Sequence, residues 1–253
     1  MKYQLNLQVQ SVNHLSNGLI HIELAPANGE KLPPMQPGQF VEVAIDKAKV
    51  LLNRPFSIYN ATDTVLELLV KPLGRGSEAM GLYTPGDTMR VIAPLGRGFE
   101  LPAAPCRVLL VGGGVGVAPM LYVARALNEK GIRPTLVYGE RTAPDARLKS
   151  RLSRYADLEI CTDDGSEGLH GLVTAHPAVA DCHPDLVRGC GPAPMMKAMH
   201  RIARERGLSA QFSLENKMAC GLGACLCCVE QTTTGNRCVC SDGPVFKAEE
   251  LPW

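Results

Sequence analysis

Residues 107–131 read RVLLVGGGVGVAPMLYVARALNEKG, and this stretch decides the fold. A short run of valine and leucine, long enough for one buried strand, ends in Gly112, Gly113, Gly114 and Gly116, and apolar residues at helical spacing follow. Glycines between a strand and a helix let phosphate approach the backbone at the helix N-terminus, where free N–H groups and the dipole favour anions. The pattern is not G-x-G-x-x-G, because the third interval is missing and Pro119 enters the helix early. Taken alone, the turn also fits a tight strand-to-helix connection that binds nothing.

Toward the C-terminus the alternation repeats, through PTLVYGE, APDARLKSRLSRY, DLEICTDD, LVTAHPAVA, DLVRGCG, APMMKAMHRIARERG and SAQFSL. Five apolar strands separated by helices predict a doubly wound parallel α/β domain over residues 102–214, with both sheet faces covered. In CTDDGS, Asp163 or Asp164 sits where a carboxylate accepts hydrogen bonds from ribose hydroxyls and repels a 2′-phosphate, which favours NAD over NADP. An acidic turn that merely ends a strand is the alternative. RGCGPAPMM brings Cys190, Gly191 and Pro192 to the carboxyl edge, where ligands of open α/β sheets bind.

Toward the N-terminus the grammar changes. Residues 1–101 hold short alternating runs (LIHIEL, QFVEVAI, RPFSIYN, VLELLVK, DTMRVIAP) broken by Gly and Pro, which predict an antiparallel barrel or sandwich. ELPAAPC links the two parts, giving an α+β multi-domain chain. Residues 215–253 offer only CCVE and RCVC as short strands and are too few to fold on a core of their own.

That last segment carries six of the ten cysteines within residues 220–240. Cys220, Cys225 and Cys228 follow C-x4-C-x2-C, and Cys240 comes after eleven more residues, the spacing of plant-type 2Fe-2S sites. Gly221 and Gly223 let a short loop wrap a cluster and turn main-chain N–H groups toward its sulfurs. Thiolate ligation would also organise a segment that lacks a core. A structural zinc site using Cys225, Cys228, Cys238 and Cys240 is the main rival. Disulfides conflict with a reducing compartment. Cys227 and Cys238 are surplus to four ligands and are read as free thiols.

Composition excludes several classes. With 26 basic and 25 acidic residues the net charge is +1, so no broad field attracts nucleic acid or an anionic membrane. The start, MKYQLNLQVQ, lacks the features of a secretory signal, and the longest apolar run is shorter than the roughly 20 residues that span a bilayer. A cytoplasmic location is expected. No His, Asp or Glu constellation for acid–base chemistry stands out, so no catalytic residue is assigned.

RPFS, VGGGVGVAPM with CGPAPMM, and the cysteine-rich tail occur in an order that resembles the ferredoxin-NADP reductase superfamily. Within it, SLENKMACGLGACLCCV followed by VCSDGPVF is similar to the electron-transfer subunits of dihydroorotate dehydrogenase B, and the likeness spans essentially the whole chain. The resemblance implies that the barrel binds FAD: Arg54 on the pyrophosphate, Pro55 and Phe56 bordering the flavin, Ser57 near its reactive edge. It also places Val70 and Lys71 beside the flavin, with Gly76 and Ser77 meeting phosphate at a helix whose N-cap is Ser77. Phe56 stands where many relatives have tyrosine, so ring stacking is kept without a hydroxyl contact. The implied cofactors are FAD, a 2Fe-2S cluster and NAD.

Hydride carries two electrons and a cluster passes one, and flavin manages both, so a chain with all three sites is a converter. The implied partner is an FMN-containing subunit that oxidises dihydroorotate, in a heterotetramer of two plus two, within pyrimidine biosynthesis. Alternatives are the corresponding subunit of a sulfide dehydrogenase or bifurcating transhydrogenase, and a zinc-stabilised nucleotide-binding module.

Overall fold

The computed structural model describes residues 1–253. Its first part is a closed barrel of β1 (Tyr3–His14), β2 (Ile20–Pro26), β3 (Phe40–Ala44), β4 (Arg54–Ala61), β5 (Leu66–Val70) and β6 (Thr88–Leu95), in the order β1-β2-β5-β4-β3-β6. All neighbours are antiparallel. Period-two alternation explains the closure: Ile20, Ile22 and Leu24, Val41 and Val43, Leu66 and Leu68, and Met89 and Val91 all point into one buried core. The residues between them point outward, yet several are buried as well, because two other parts of the chain cover the barrel.

A short helix, α1 (Arg75–Ala79), follows β5. Its N-cap is Gly74, not Ser77 as the sequence suggests. Ser77 sits one turn in, where its Oγ accepts from the N–H groups of Leu73 (2.9 Å) and Gly74 (3.2 Å) and donates to the Gly74 carbonyl. The serine ties down the loop before the helix from inside the first turn, a reciprocal arrangement that a cap-first reading misses.

The second part contains β7 (Val108–Gly113), α2 (Ala118–Asn128), β8 (Thr135–Glu140), α3 (Ala146–Tyr155), β9 (Asp157–Thr162), β10 (Leu169–His170), α4 (Pro177–Ala180), β11 (Leu186–Cys190), α5 (Ala193–Glu205) and β12 (Ser209–Ser213). The remaining strands are β13 (Val229–Thr232), β14 (Gly235–Cys238) and β15 (Val245–Lys247). The large sheet runs β10-β9-β8-β7-β11-β12-β15, and β13 and β14 form a separate hairpin. The five expected strands are present and parallel. LVTAHPAVA, in contrast, yields only a single 3-10 turn and the four-residue α4. Pro177 keeps His176 extended (ψ 135°), so the helix cannot run through it.

β15 lies outside the two short strands expected in the tail. This strand comes from the cysteine-rich tail and pairs antiparallel with β12, Gln211 opposite Lys247 and Ser213 opposite Val245. The tail therefore solves its shortage of core by borrowing one. Cys228, Cys238, Val239, Cys240, Phe246 and Leu251 share a buried cluster with Phe212 and Val111 of the sheet and with Phe40 and Leu95 of the barrel.

The barrel meets the α/β part through its other outer face. Tyr59 and Leu69 pack into the core formed by α2, α3 and the sheet. Polar contacts fix the angle between them. Asp145 caps α3 by accepting from Arg147 N (2.8 Å) and also accepts from Ser16 N of the β1–β2 loop (2.8 Å). Glu67 of β5 receives His21 Nε2 at 2.7 Å, Asn60 Nδ2 at 2.8 Å and the Arg151 guanidinium of α3, with Nη2 at 2.9 Å from Oε1. Burial pushes the Glu67 carboxyl up, yet these hydrogen bonds outweigh it and hold the group at about 2.

Candidate functional site

The strand order reverses at β7, which lies between β8 and β11, and open α/β sheets bind ligands at such a point. A cavity of about 390 Å³ lies there, lined by Gly113, Gly114, Glu140, Asp163, Pro192 and Met195 among others. The glycines divide by role. Gly113 and Gly114 face the cavity, and Gly114 has φ +55°. Gly112 and Gly116 lie beneath it as packing glycines: a Cβ on Gly116 would stand 2.4 Å from the Cys190 carbonyl oxygen, and one on Gly112 would stand 2.8 Å from Val117 Cα. Both Cys190 and Gly191 sit under the floor, and the Cys190 thiol is fully buried and pushed far up by burial and then by Glu215.

Two residues at this cavity escaped the sequence reading. Glu140 ends β8, beside the glycine turn, and its carboxylate accepts from Tyr138 Oη (2.9 Å) and Arg141 N (3.0 Å). The signal was present, since an acidic residue closing the second strand of such a unit faces the ribose in dinucleotide folds. Arg141 lines the same cavity. Asp163 also lines it, whereas Asp164 turns away to bond Ser166 Oγ.

A larger groove of about 680 Å³ runs between the barrel, the glycine turn and the end of β12. Arg54, Pro55, Phe56 and Ser57 from β4, Lys71, and Gly76 and Ser77 from α1 line it on the barrel side. Val70 does not: it is wholly buried in the barrel core, so only its neighbour Lys71 faces the groove. Gly76 lets Arg54 lie flat against the helix, for a Cβ there would meet Arg54 Nε at 3.2 Å. Opposite stand Val115, Glu215, Asn216 and Met218. Burial pushes the Glu215 carboxyl up and Lys71 pulls it back. Lys71 lines both, so the groove and the smaller cavity are neighbours.

From Met218 the chain passes directly into the cysteine loop. Cys220 Sγ accepts the Leu222 N–H at 3.4 Å, and Cys228 Sγ accepts the Cys240 N–H at 3.4 Å. The amides of Leu222 and Cys225 bring the Cys220 thiol down to about 6, the direction that favours a thiolate. Burial, then Cys228, pushes the Cys240 thiol up to about 12, so this sulfur sits in a dry environment. Gly221 (φ +62°), Gly223 (φ +85°) and, unusually for a residue with a Cβ, Leu226 (φ +58°) bend the loop. Four thiols, backbone amides turned on sulfur and a loop forced through left-handed conformations fit a thiolate-ligated cluster. Cys225 and Cys227 are exposed, whereas Cys238 is buried beside Cys228.

Glu42 of β3 lies under this loop, 1% exposed, and its Oε1 has no hydrogen-bond partner. Burial, then Cys220, pushes its carboxyl up, and the Asn53 side chain pulls it down. His21, Glu23 and Glu67 could by their mutual distances hold a cation, but the Arg151 guanidinium already occupies both Glu67 oxygens.

Known proteins match this arrangement along its length. The family described as the iron-sulfur cluster binding domain of dihydroorotate dehydrogenase B matches residues 215–252. The chain is 37% identical over 230 residues to the dihydroorotate dehydrogenase B (NAD(+)) electron transfer subunit of Listeria monocytogenes serovar 1/2a, covering 88% of this chain and 90% of that protein. It is 38% identical over 224 residues to the protein of the same name from Bacillus caldolyticus, covering 85% and 86%. Among solved structures, one of an NADH-dependent reduced ferredoxin-NADP oxidoreductase, described for flavin-based electron bifurcation, covers 98% of this chain and 90% of its own, with TM-score 0.83 and 29% identity. Phthalate dioxygenase reductase, a modular structure for electron transfer from pyridine nucleotides to 2Fe-2S, gives TM-score 0.65 and 25% identity over 79% and 64% of the two chains.

Proposed function

The chain belongs to the family of dihydroorotate dehydrogenase B electron transfer subunits, and from this premise we propose that it passes electrons from an FMN-containing, dihydroorotate-oxidising partner through a 2Fe-2S cluster and FAD to NAD+. The observation that carries this reading is continuity. Lys71 borders both the nucleotide cavity and the groove, and Asn216 and Met218 line the groove just before Cys220. When bound, the cluster supplies one-electron transfer, the flavin both one- and two-electron transfer, and the nicotinamide hydride transfer.

The residues have separable tasks under this reading. Arg54 offers a guanidinium fork to the flavin pyrophosphate, and Gly76 leaves room for it. Phe56 and Ser57 border the ring, and Lys71 and Glu215 face each other where flavin and nicotinamide would meet. Glu140 and Asp163 give the ribose end of the nucleotide cavity an acidic lining that accepts hydroxyls and repels a 2′-phosphate. Cys220, Cys225, Cys228 and Cys240 ligate the iron, with the amides of Leu222 and Cys240 donating to sulfur.

The partner would dock where the cysteine loop is open. Leu222 and Leu226 are 46% and 63% exposed beside the exposed Cys225, an apolar rim suited to a protein surface. We place the complex in the cytoplasm as two copies of each subunit; no helix is long and apolar enough to cross a membrane. The structural likeness to the bifurcating oxidoreductase supports a second reading, the same electron path serving another partner.

Anaerobic purification tests the reading directly. Flavin and iron-sulfur absorption bands should appear, NADH should bleach both, and an FMN protein that oxidises dihydroorotate should co-purify from the native host. A colourless protein would overturn the reading, and a coloured one whose FMN-free partner ignores dihydroorotate would favour the second.

A further inference from the structure

A strand on the surface of a barrel alternates between core and solvent, so its outward positions suit polar residues that water can satisfy. On β3, Val41 and Val43 face the barrel core, and Phe40 and Glu42 face outward. Phe40 joins the core beneath the cysteine segment, which suits a phenyl ring. Glu42 is covered by the same segment and is not suited to it.

Its carboxyl lies against the backbone of Gly221, and a Cβ there would come within 2.7 Å of Glu42 Cδ and 2.8 Å of Oε1. No ion pair includes Glu42, and Oε1 is left with no partner. Leaving a buried polar atom unpaired is costly, and leaving a buried charge unpaired more so. A residue that only had to fill the space under Gly221 would leave no orphaned oxygen. Gly221 directly follows Cys220, so the carboxyl lies at the turn that carries the first sulfur of the set.

Amides that donate to sulfur favour the reduced, more negative cluster and so raise its potential. A carboxylate at the same loop acts in the opposite sense. We infer that Glu42 is a positioning residue of the cluster site, seating the Gly221 turn and holding the cluster's reduction potential below the value that thiolates and amides alone would set. The inference rests on the 2Fe-2S reading of the four cysteines given above. Its consequence is directional: a lower cluster potential makes the flavin the better electron acceptor of the two.

The test is a redox titration of the anaerobically purified holoprotein in alkaline buffer, followed by electron paramagnetic resonance, for wild type, Glu42→Gln and Glu42→Asp. The glutamine variant keeps length and removes charge; the aspartate variant keeps charge and shortens the arm. Glu42→Gln is expected to raise the cluster midpoint by at least a tenfold shift in the one-electron equilibrium, about 59 mV, with FAD and its potential unchanged. Glu42→Asp should stay within about threefold of wild type, roughly half that interval on the same scale. Loss of iron from the glutamine variant alone, with the aspartate variant loaded normally, would also support the inference. An unchanged or lowered midpoint in Glu42→Gln, equal shifts in both variants, or equal loss of iron from both would overturn it. Wild-type protein without a cluster would instead sink the 2Fe-2S reading itself.

Discussion

Two glutamates on the outside of one barrel show what its two covered faces are for. Glu67, under α3, is met by His21, Asn60 and both arms of Arg151, and its carboxyl is held at about 2. Glu42, under the cysteine loop, has an unpartnered Oε1 and a carboxyl pushed up. Burial is severe at both, with 6% and 1% exposure. The difference is therefore one of satisfaction, not of depth. A saturated carboxylate fixes two parts of a molecule relative to each other. An unsatisfied one stands where the surroundings answer to something besides packing. Glu140 falls between them: its two donors leave it open to the cavity beside the glycine turn.

The comparison breaks most visibly at the cysteines. Cys225→Ser should abolish the iron-sulfur bands and electron transfer from the partner, with flavin retained; full iron content by colorimetric assay would show that the face above Glu42 is built for packing after all. A smaller effect is expected on the saturated face. Glu67→Gln leaves Arg151 without its carboxylate and should destabilise the fold by about 2–3 kcal/mol in denaturant melts. The Glu67 carboxyl is held at about 2 against an ordinary value of 4.5, so its contribution is present above pH 4.5 and is lost as pH falls toward about 2. Acid melts of wild type should lose that increment and those of Glu67→Gln should not.

The intermediate carboxylate should give an intermediate result. Glu140→Gln is expected to weaken NADH binding about fivefold, close to 1 kcal/mol for one hydrogen bond, and to narrow the preference over NADPH; equal losses for both nucleotides by flavin fluorescence titration would assign Glu140 a purely structural part. Cys227→Ser should do least. The thiol is exposed, and iron content, melting temperature and turnover should all stay near wild type.

Most of the architecture was legible because the determinants are local. Alternation on β2, β3, β5 and β6, the glycines after β7 and the 3.6-residue period of α2 and α5 each depend on residues close in sequence. The cysteine spacing is local too. What stayed hidden depends on distant packing. Nothing in QFVEVAI says that the outer face of β3 will be roofed by a loop some 180 residues later, and only that roof makes Glu42 unusual. The pairing of β15 with β12 is likewise non-local, and VFK is too short to announce a strand. Ser77 departs from its expected place as a cap because a serine hydroxyl can bond the N-cap backbone from inside the first turn, and only the geometry at Gly74 shows it.

The strand β15 gives the tail a second office. By lying along β12 it seals one margin of the large sheet, so the fate of that margin is tied to the segment that holds the sulfurs. A tail that works loose uncovers a row of unpaired amides and carbonyls on β12, the template on which stray chains assemble. Molecules in that condition would be drawn off into aggregates, and the soluble pool would enrich itself in intact ones.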